Sequence, residues 1–263
     1  MHMTRLGWYA VALVTSAGMC FGEGNQGNQG QGNQGEDGPS NCQGLPTAAD
    51  LTTQLTSAAG PSAGGLFGGA RMWGAVVNRD GKICAYATNQ SDNSQVWPGS
   101  QAIAKAKAYT ANAFSLDTLP LSTANLYTLT QPGHSLWSLG QSNSFNPEFL
   151  AGTGGQGGGT NQIAGGLIFF GGGLPLYKAG KIIGGLGVSG DTSCTDHEIA
   201  KRVRNALNLN PSVAGVSGPA GPTADDIQYS AKDGASPYTH PACANTWRNG
   251  TNLGLTENNA SGY

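Results

Sequence analysis

The stretch from residue 171 to residue 207 constrains the fold more than any other part of the chain, because its hydrophobic period changes once, from two to about 3.6. Two β-favouring apolar runs, at 174–178 and 181–188, are separated by a two-residue break and predict a β-hairpin. Thr195 and Glu198 then have the spacing of a capping box, which predicts the start of a helix. The predicted unit is therefore strand, turn, strand, glycine-rich loop and helix.

The other predicted elements lie before this unit and surround one strong turn signal, Asp80-Gly81. They are a helix at 46–59, hairpin strands at 72–79 and 82–88, a helix at 100–114, a short helix at 122–129 and a linker strand at 165–170. About five short strands with helices before, between and after them favour an α+β domain, in which helices cover an antiparallel sheet.

Three glycine-rich or alanine-rich motifs occur in a specific order. Residues 104–115 read AKAKAYTANAFS, residues 171–177 read GGGLPLY, and residues 182–190 read IIGGLGVSG, followed by an acidic residue and EIA. Together they resemble the GlcG/HbpS-like haem-binding family over roughly residues 42–247. The resemblance implies a profilin-like α/β/α arrangement, which agrees with the five-stranded antiparallel sheet predicted from the element order, and it implies haem as the cofactor.

The start of the chain predicts export. Residues 1–22 combine a positive start, an apolar run too short to span a membrane comfortably, and small residues, as in a secretory signal peptide. Lipid attachment at Cys20 is the alternative, although Met19 is bulkier than the residue that normally precedes a lipidated cysteine. We expect a periplasmic or extracellular protein. Its predicted parts are the signal peptide, a flexible Gly/Asn/Gln-rich spacer at 23–41, a domain at 42–210 and a wrapping tail at 211–263.

Composition limits the partners. The 263 residues are 11% charged and carry a formal net charge of −2, so the chain lacks the basic surface that a nucleic-acid backbone attracts. We expect no nucleic acid, no integral membrane span, a small planar ligand and a homo-oligomeric assembly.

The cysteines predict two disulfides. Of the five in the chain, Cys20 belongs to the leader, and an exported chain with the remaining four can pair them in three ways. We favour Cys42 with Cys84 and Cys194 with Cys243, because each bridge would then tie an irregular segment to a regular element. Thiolate metal ligation is disfavoured, because no Cys-x-x-Cys spacing is present.

Lys107 and Thr110 are the first candidate binding residues. They share a helical stripe with Ile103 and Phe114, so a cation and a hydroxyl interrupt an apolar face. The structural interpretation is that the lysine stem covers apolar surface while the hydroxyl bonds to its own helix. The functional interpretation, favoured by the resemblance, is a pocket in which the ammonium pairs with an acidic ligand group such as a haem propionate.

His197 is the candidate axial ligand of the haem iron. After a cap at Thr195 it would lie at the positive end of a helix, which favours the neutral imidazole that iron ligation requires. The alternative is a surface histidine. Tyr109, His134 and His240 are weaker candidates, and the absence of Cys-x-x-Cys-His excludes covalent attachment of haem.

The glycines of GLGVSG resemble a dinucleotide fingerprint, but the predicted hairpin before them and the late helix start do not fit that motif. Close backbone packing is the simpler interpretation. We also expect the backbone at Gly187, Ser189 and Gly190 to line the ligand pocket, with amides available to an anionic group. Asp225 and Asp226 are expected to be solvated.

Three functions follow. The leading hypothesis is an exported, non-catalytic protein that holds haem, or another planar anionic cofactor, between the 100–114 helix and residues 185–197. The second is a cofactor-modifying or haem-degrading enzyme that uses the same pocket. The third is an oligomeric interaction module without a ligand. No nucleophile motif or paired carboxylates identify catalytic residues.

Overall fold

An antiparallel β-sheet with helices on both faces organises the chain, as seen in a computed structural model that describes residues 42–146, 157–158 and 162–260. The helices are α1 (Ala48–Ala58), α2 (Gly99–Phe114), α3 (Ser193–Ala206) and α4 (Ser230–Asp233). The strands are β1 (Trp73–Asn78), β2 (Ile83–Thr88), β3 (Gly157–Gly158), β4 (Gly173–Lys178), β5 (Lys181–Ser189), β6 (Gln228–Tyr229), β7 (Thr239–His240), β8 (Trp247–Arg248) and β9 (Thr251–Asn252). Short 3₁₀ turns span Pro61–Ala63, Asn93–Gln95, Ala124–Leu126 and Thr128–Thr130.

The main sheet has the strand order β3-β2-β1-β5-β4, and every neighbouring pair is antiparallel. Four of its strands have six to nine residues, whereas β3 contributes only two. Both predicted hairpins are confirmed. The β4–β5 turn places Ala179 at φ 50° and Gly180 at φ 77°, the pair of positive values that a two-residue type I′ turn requires.

Each face of the sheet packs against helices. Val76 of β1 lies in one apolar cluster with Leu55 of α1 and Val203 of α3. Its neighbour Ala75 lies in a second cluster with Ala104 of α2, because successive side chains of a strand point to opposite faces. The covering of an antiparallel sheet by helices, predicted from the element order, is therefore confirmed, and the helices lie on both faces as the resemblance implies.

Close contact between α2 and β5 explains one of the glycines. A Cβ atom at Gly187 would overlap the Ala104 carbonyl oxygen of α2 and would lie 2.5 Å from the Ala108 amide nitrogen. Glycine on the strand and alanine on the helix thus allow the two backbones to approach, which confirms the packing interpretation.

The predicted strand at 165–170 is wrong. Gly165 and Gly166 both have positive φ values, and this segment crosses over α2 instead of joining the sheet. Its backbone groups bond to side chains: the Ile168 amide donates to Thr110 Oγ1 at 3.0 Å, and the Phe170 carbonyl accepts from Thr123 Oγ1 at 2.7 Å. The sheet therefore consists of four long strands, β1, β2, β4 and β5, and the two-residue β3 only pairs with β2 at its edge.

The predicted helix at 122–129 is also wrong, since this stretch holds the two short 3₁₀ turns. At its C-terminal end the Thr130 hydroxyl donates to the Tyr127 and Leu126 carbonyls, and such side-chain bonding competes with regular helix.

The predicted start of α3 is wrong as well. Thr192 is the N-cap, its hydroxyl accepts a hydrogen bond from the Thr195 amide at 3.3 Å, and the Asp196 amide already bonds to the Thr192 carbonyl. The chain turns out of β5 at Gly190, which has φ 152°, and therefore enters the helix three residues earlier than expected. His197 is the fifth helical residue rather than the second.

Two disulfides, Cys42–Cys84 and Cys194–Cys243, confirm the favoured pairing. The second fixes the C-terminal tail, whose residues Ile227 and Tyr229 share an apolar cluster with Cys194. No helix in the described part of the chain is long and apolar enough to cross a membrane. The predicted signal peptide and spacer lie outside the described residues.

Candidate functional site

Lys107 of α2 is completely buried and paired. Its ammonium lies 2.7 Å from Asp196 Oδ2 and donates to the Val188 carbonyl at 3.0 Å. The ring of Phe170 covers it, with 4.8 Å between Nζ and the ring centroid. Three different segments therefore meet at this cation, and neither the ammonium nor its partner contacts bulk water.

Asp196 was not identified from the sequence. It lies in the first turn of α3 on the stripe of Ala200, Val203 and Leu207, which step by four, three and four, so periodicity could have placed it inward. Its Oδ1 accepts a hydrogen bond from the Asp191 amide at 2.9 Å. The carboxylate thus links α2 to the loop that leads into α3.

Burial opposes both charges of this pair. It raises the pKa of Asp196 to about 6, although Lys107 pulls that value down. It also lowers the pKa of the Lys107 ammonium, against the opposing effect of Asp196. Desolvation of a buried pair can exceed the Coulombic attraction, so the pair is a weak contributor to stability but a strong constraint on its own geometry.

Asp191 binds the segment that connects α1 to β1. Its carboxylate accepts hydrogen bonds from the Leu66 amide at 2.7 Å and the Phe67 amide at 2.8 Å. Because the Asp191 amide is bonded to Asp196, the two carboxylates connect residues 66–67, the start of α3 and Lys107 in one network.

Thr110 lies one turn after Lys107 and is also buried. Its hydroxyl donates to the Ala106 carbonyl at 2.8 Å and accepts from the Ile168 amide at 3.0 Å. The structural interpretation of Thr110 is therefore confirmed, since the hydroxyl bonds to its own helix. The same hydroxyl also holds the segment that passes above it.

Residues 167–170, which we call the cover segment, close the site from outside. Besides the contacts to Lys107 and Thr110, Phe169 packs edge-on against Phe114 with 6.2 Å between ring centroids. Glycines border the segment on both sides: Gly165 and Gly166 precede it, and residues 171–173 follow. Residues 167–170 are only partly buried, whereas Lys107 and Thr110 are fully buried, so the cover segment is the part of the site that can move with least disruption.

A cavity of about 270 Å³ lies on the outer side of the cover segment. Tyr127, Trp137 and residues 167–170 line it, so its wall is mainly aromatic and apolar. Its volume is just below the range of about 300–1,000 Å³ typical of small-molecule pockets. Neither Lys107 nor Thr110 lines it, because the cover segment separates them from it.

The structure places the remaining predicted residues around this network. Gly187 faces α2, Ser189 is buried at the end of β5, and Gly190 lines a separate cavity of about 190 Å³ beside Arg71 and Trp97. Lys107 meets the same end of β5 through the Val188 carbonyl. The predicted set is thus brought to one region, but it does not surround a single open pocket.

His197 is fully buried in α3, and neither ring nitrogen has a hydrogen-bond partner among the described residues. Asp226 Oδ1 lies 3.6 Å from Nε2, beyond hydrogen-bond distance. Burial lowers the pKa of His197, and the Asp226 carboxylate opposes that shift only in part. The imidazole is therefore neutral, as iron ligation requires, but protein atoms enclose it.

The expectation that Asp225 and Asp226 are solvated is wrong. Asp225 is fully buried and makes a two-point contact with the guanidinium of Arg204 at 2.5 and 2.6 Å. Asp226 lies 2.7 Å from the Lys201 ammonium. Both cations come from α3, so the two carboxylates of the tail neutralise charges on that helix. The sequence gave no sign of this pairing, because the paired residues are not neighbours along the chain.

Both ring nitrogens of His240 have hydrogen-bond partners. Its Nε2 accepts a hydrogen bond from the Gly171 amide at 3.2 Å, and Nδ1 lies 2.7 Å from the Pro241 carbonyl. Burial lowers the pKa of His240 to about 3, so the ring is neutral. Tyr127 packs against it with 5.0 Å between ring centroids.

Comparison with known proteins identifies the family. The model of the family described as haem-degrading protein, HbpS-like, matches residues 48–204, so the chain belongs to that family. The match contains α2 and all but the last two residues of α3, so it includes Lys107 and Asp196. Among curated proteins, none matches the chain.

Solved structures give distant similarities. The chain is 23% identical to protein ORFY of Klebsiella pneumoniae, with 62% of this chain and 90% of that one covered and a TM-score of 0.42. It is 27% identical to PduOC in its complex with haem (62% and 96% covered, TM-score 0.41). It is 22% identical to HbpS (62% and 89% covered, TM-score 0.39).

Proposed function

We propose that this HbpS-like chain binds haem, or a similar planar anionic tetrapyrrole, at the Lys107–Thr110 face of α2. The family match over residues 48–204 is the observation that carries the proposal. A buried cation with a neighbouring hydroxyl is the chemistry that recognises a propionate, because a charge-assisted hydrogen bond is stronger in a water-excluded site.

The ligand enters where the cover segment now lies. Moving residues 167–170 outward joins the aromatic cavity beside Tyr127 and Trp137 to the space above Lys107 and Thr110. Phe114 is then exposed to a ring system that can stack on it. In the closed form Phe170 takes the position over the ammonium that a propionate occupies in the loaded form.

The roles proposed for the individual residues follow from this placement. Lys107 pairs with a propionate while Asp196 keeps its link to the Asp191 amide. Thr110 exchanges the Ile168 amide for the ligand. Gly187 keeps α2 close to β5, and Ser189 and Gly190 form the adjoining end of that strand.

His197 stays the proposed axial ligand, because its ring is neutral and both nitrogens lack hydrogen-bond partners among the described residues. Ligation requires α3 to turn its buried side chain toward the ligand, since Asp226 and the tail enclose it in the closed form. If the coordination and the spectrum of the bound haem were the same in His197→Ala as in the wild type, His197 would not be the axial ligand, but the proposed binding site would stand.

The direct test is a titration of the purified protein with haemin, followed by the shift of the Soret band. We expect a saturable shift with one haem per chain. Lys107→Met should weaken binding, whereas Lys105→Met on the same helix should not, because Lys105 lies over the Tyr86 ring and contacts Gln101. A linear, non-saturable change in the wild-type protein would rule out the proposal.

We propose export for the same chain. The two disulfides suit an oxidising compartment, and the leader-like residues 1–22 supply the signal. Mass spectrometry of the protein from its native envelope would report the mature N-terminus, any lipid on Cys20 and the state of each cysteine. Light scattering of the same material would test the proposed homo-oligomer.

A second candidate is haem degradation, which the description of the matched family favours. Catalysis would use the same site, and it would differ from storage in its products. Incubation of the haem-loaded protein with a reductant and oxygen would separate the two, because degradation removes the Soret band and yields an open tetrapyrrole together with free iron. An unchanged spectrum over many hours supports a binding protein.

A further inference from the structure

The start of α3 brings together three groups that ligate soft metals. Cys194 is the second residue of the helix, Cys243 is bonded to it from the tail, and one ring nitrogen of His240 lies with the two sulfur atoms inside a group whose members are within 4.8 Å of one another. No other cluster of this kind occurs in the described ranges 42–146, 157–158 and 162–260. The disulfide masks the sulfurs in the oxidised protein.

Access to this cluster comes from a cavity of about 610 Å³, which is larger than the two cavities described above. Cys243, Ser193 and Tyr127 line it, together with residues near the C-terminal end of the tail. A small reductant can therefore reach Cys243 through this cavity. The cavity also leaves room for a water molecule or another exogenous group beside a bound ion.

His240 already has the protonation that a metal ligand needs. Because its Nε2 accepts the Gly171 N–H, the ring proton resides on Nδ1, which donates to the Pro241 carbonyl. A metal-bound histidine commonly donates its second ring N–H to a backbone carbonyl, which fixes the tautomer. Ligation through Nε2 displaces one backbone amide and leaves this second contact in place.

We propose that reduction of the Cys194–Cys243 disulfide creates a zinc site formed by the two thiolates and His240. A dithiol reductant supplies two electrons and two protons, its own sulfurs are oxidised to a disulfide, and the bond between the two cysteine sulfurs breaks. Zinc then binds both sulfurs as thiolates and releases the two protons to solvent. A water molecule from the cavity completes a tetrahedral site with three protein ligands.

The local geometry suits the reduced, metal-bound form. Zn–S bonds of about 2.3 Å place two sulfurs about 3.7 Å apart in a tetrahedral site, so the cysteines need only a small separation. The Cys194 amide donates to Cys243 Sγ at 3.3 Å, and the free amides of a helix N-terminus stabilise thiolates. The Cys42–Cys84 disulfide has no histidine grouped with it in the described residues and is a built-in control.

The test uses the full wild-type chain, reduced anaerobically with a phosphine and treated with iodoacetamide with or without Zn²⁺. Peptide mass spectrometry then gives the alkylation rate of each cysteine. We expect Zn²⁺ to slow alkylation of Cys194 and Cys243 at least tenfold and to leave Cys42 and Cys84 unchanged. Equal rates with and without zinc at all four cysteines would overturn the proposal.

Four variants, two single and two double, test the ligand assignment further. His240→Gln should weaken the zinc protection at least tenfold, whereas His134→Gln, in the loop after the 3₁₀ turns, should not change it. In Co²⁺-loaded samples, reduced Cys42→Ser/Cys84→Ser should show sulfur-to-cobalt charge transfer. Cys194→Ser/Cys243→Ser should lack that band, and the same band in both double variants would contradict the assignment.

Discussion

The Lys107–Asp196 pair allows a sharp prediction, because both members are almost completely buried and each has a defined second partner. Lys107→Met keeps most of the side-chain volume but leaves the Asp196 carboxylate without its cation. Removing one partner of a buried pair typically destabilises a protein by about 3–5 kcal/mol. For a domain of this size that corresponds to a fall in Tm of roughly 6–20 °C.

The double variant Lys107→Met/Asp196→Asn should recover most of this loss. The asparagine oxygen can still accept the hydrogen bond from the Asp191 amide, and the replaced pair no longer carries a buried charge. Neutral replacement of a buried ion pair is often neutral or stabilising. Lys105→Met is the matched control and should cost about 0.5–1 kcal/mol, the worth of its contact with the Tyr86 ring.

The pH dependence has a defined sign. The folded-state pKa of Asp196 is already raised to about 6 in the wild type, and losing Lys107 removes an interaction that lowers it. The folded Lys107→Met protein therefore binds more protons than the unfolded chain in the acidic range, so its stability falls as pH rises through that pKa. The deficit relative to wild type should be smaller at pH 5 than at pH 8.

Urea unfolding followed by circular dichroism measures all four proteins at both pH values. A Lys107→Met variant within 1 kcal/mol of wild type at pH 8 would refute the reasoning, because it would mean that Asp196 is not desolvated. A double variant as unstable as the single one would show that geometry, rather than the unpaired charge, causes the loss.

Three further stability predictions follow from the packing, and urea midpoints test each of them. Gly187→Ala should destabilise the protein by about 1–3 kcal/mol, because the new Cβ overlaps the α2 backbone. Gly99→Ala, with open space around it, should not destabilise the protein. Equal losses in the two variants would contradict the close approach of α2 and β5. Arg204→Met should cost about 3–5 kcal/mol because it isolates the buried carboxylate of Asp225. Lys181→Met, which removes an exposed ion pair, should leave stability nearly unchanged, and equal losses in the two variants would argue against burial as the cause. Thr192→Ala should cost about 1 kcal/mol as the loss of an N-cap, and no change would place the cap elsewhere.

Much of the fold could be predicted because its signals are local. Both hairpins follow from two-residue breaks between β-favouring runs, and the disulfide pairing follows from which cysteines lie on regular elements. The segment at 165–170 has an equally β-favouring composition, yet its backbone partners are Thr110 and Thr123, far away in sequence. Propensity cannot reveal that those partners replace a neighbouring strand.

Only the part of the candidate site that lies on α2 could be predicted, because the other groups come from segments distant in sequence. Helical spacing placed Lys107 and Thr110 inward, and the structure buries both. Spacing along one helix does not report what faces it, so Asp196 and the cover segment were missed. The α3 start shows a related effect: Thr192 and Thr195 are both good caps, and the tight turn at Gly190 decides between them.

The most direct measurement of the central claim compares binding of haemin and of its propionate dimethyl ester to wild type and to the charge-free Lys107→Met/Asp196→Asn variant. If a propionate replaces Phe170 over the Lys107 ammonium, wild type should bind haemin at least tenfold more tightly than the ester, and the variant should bind the two equally. An unchanged preference in the variant would contradict the account, because the propionate would then be recognised elsewhere.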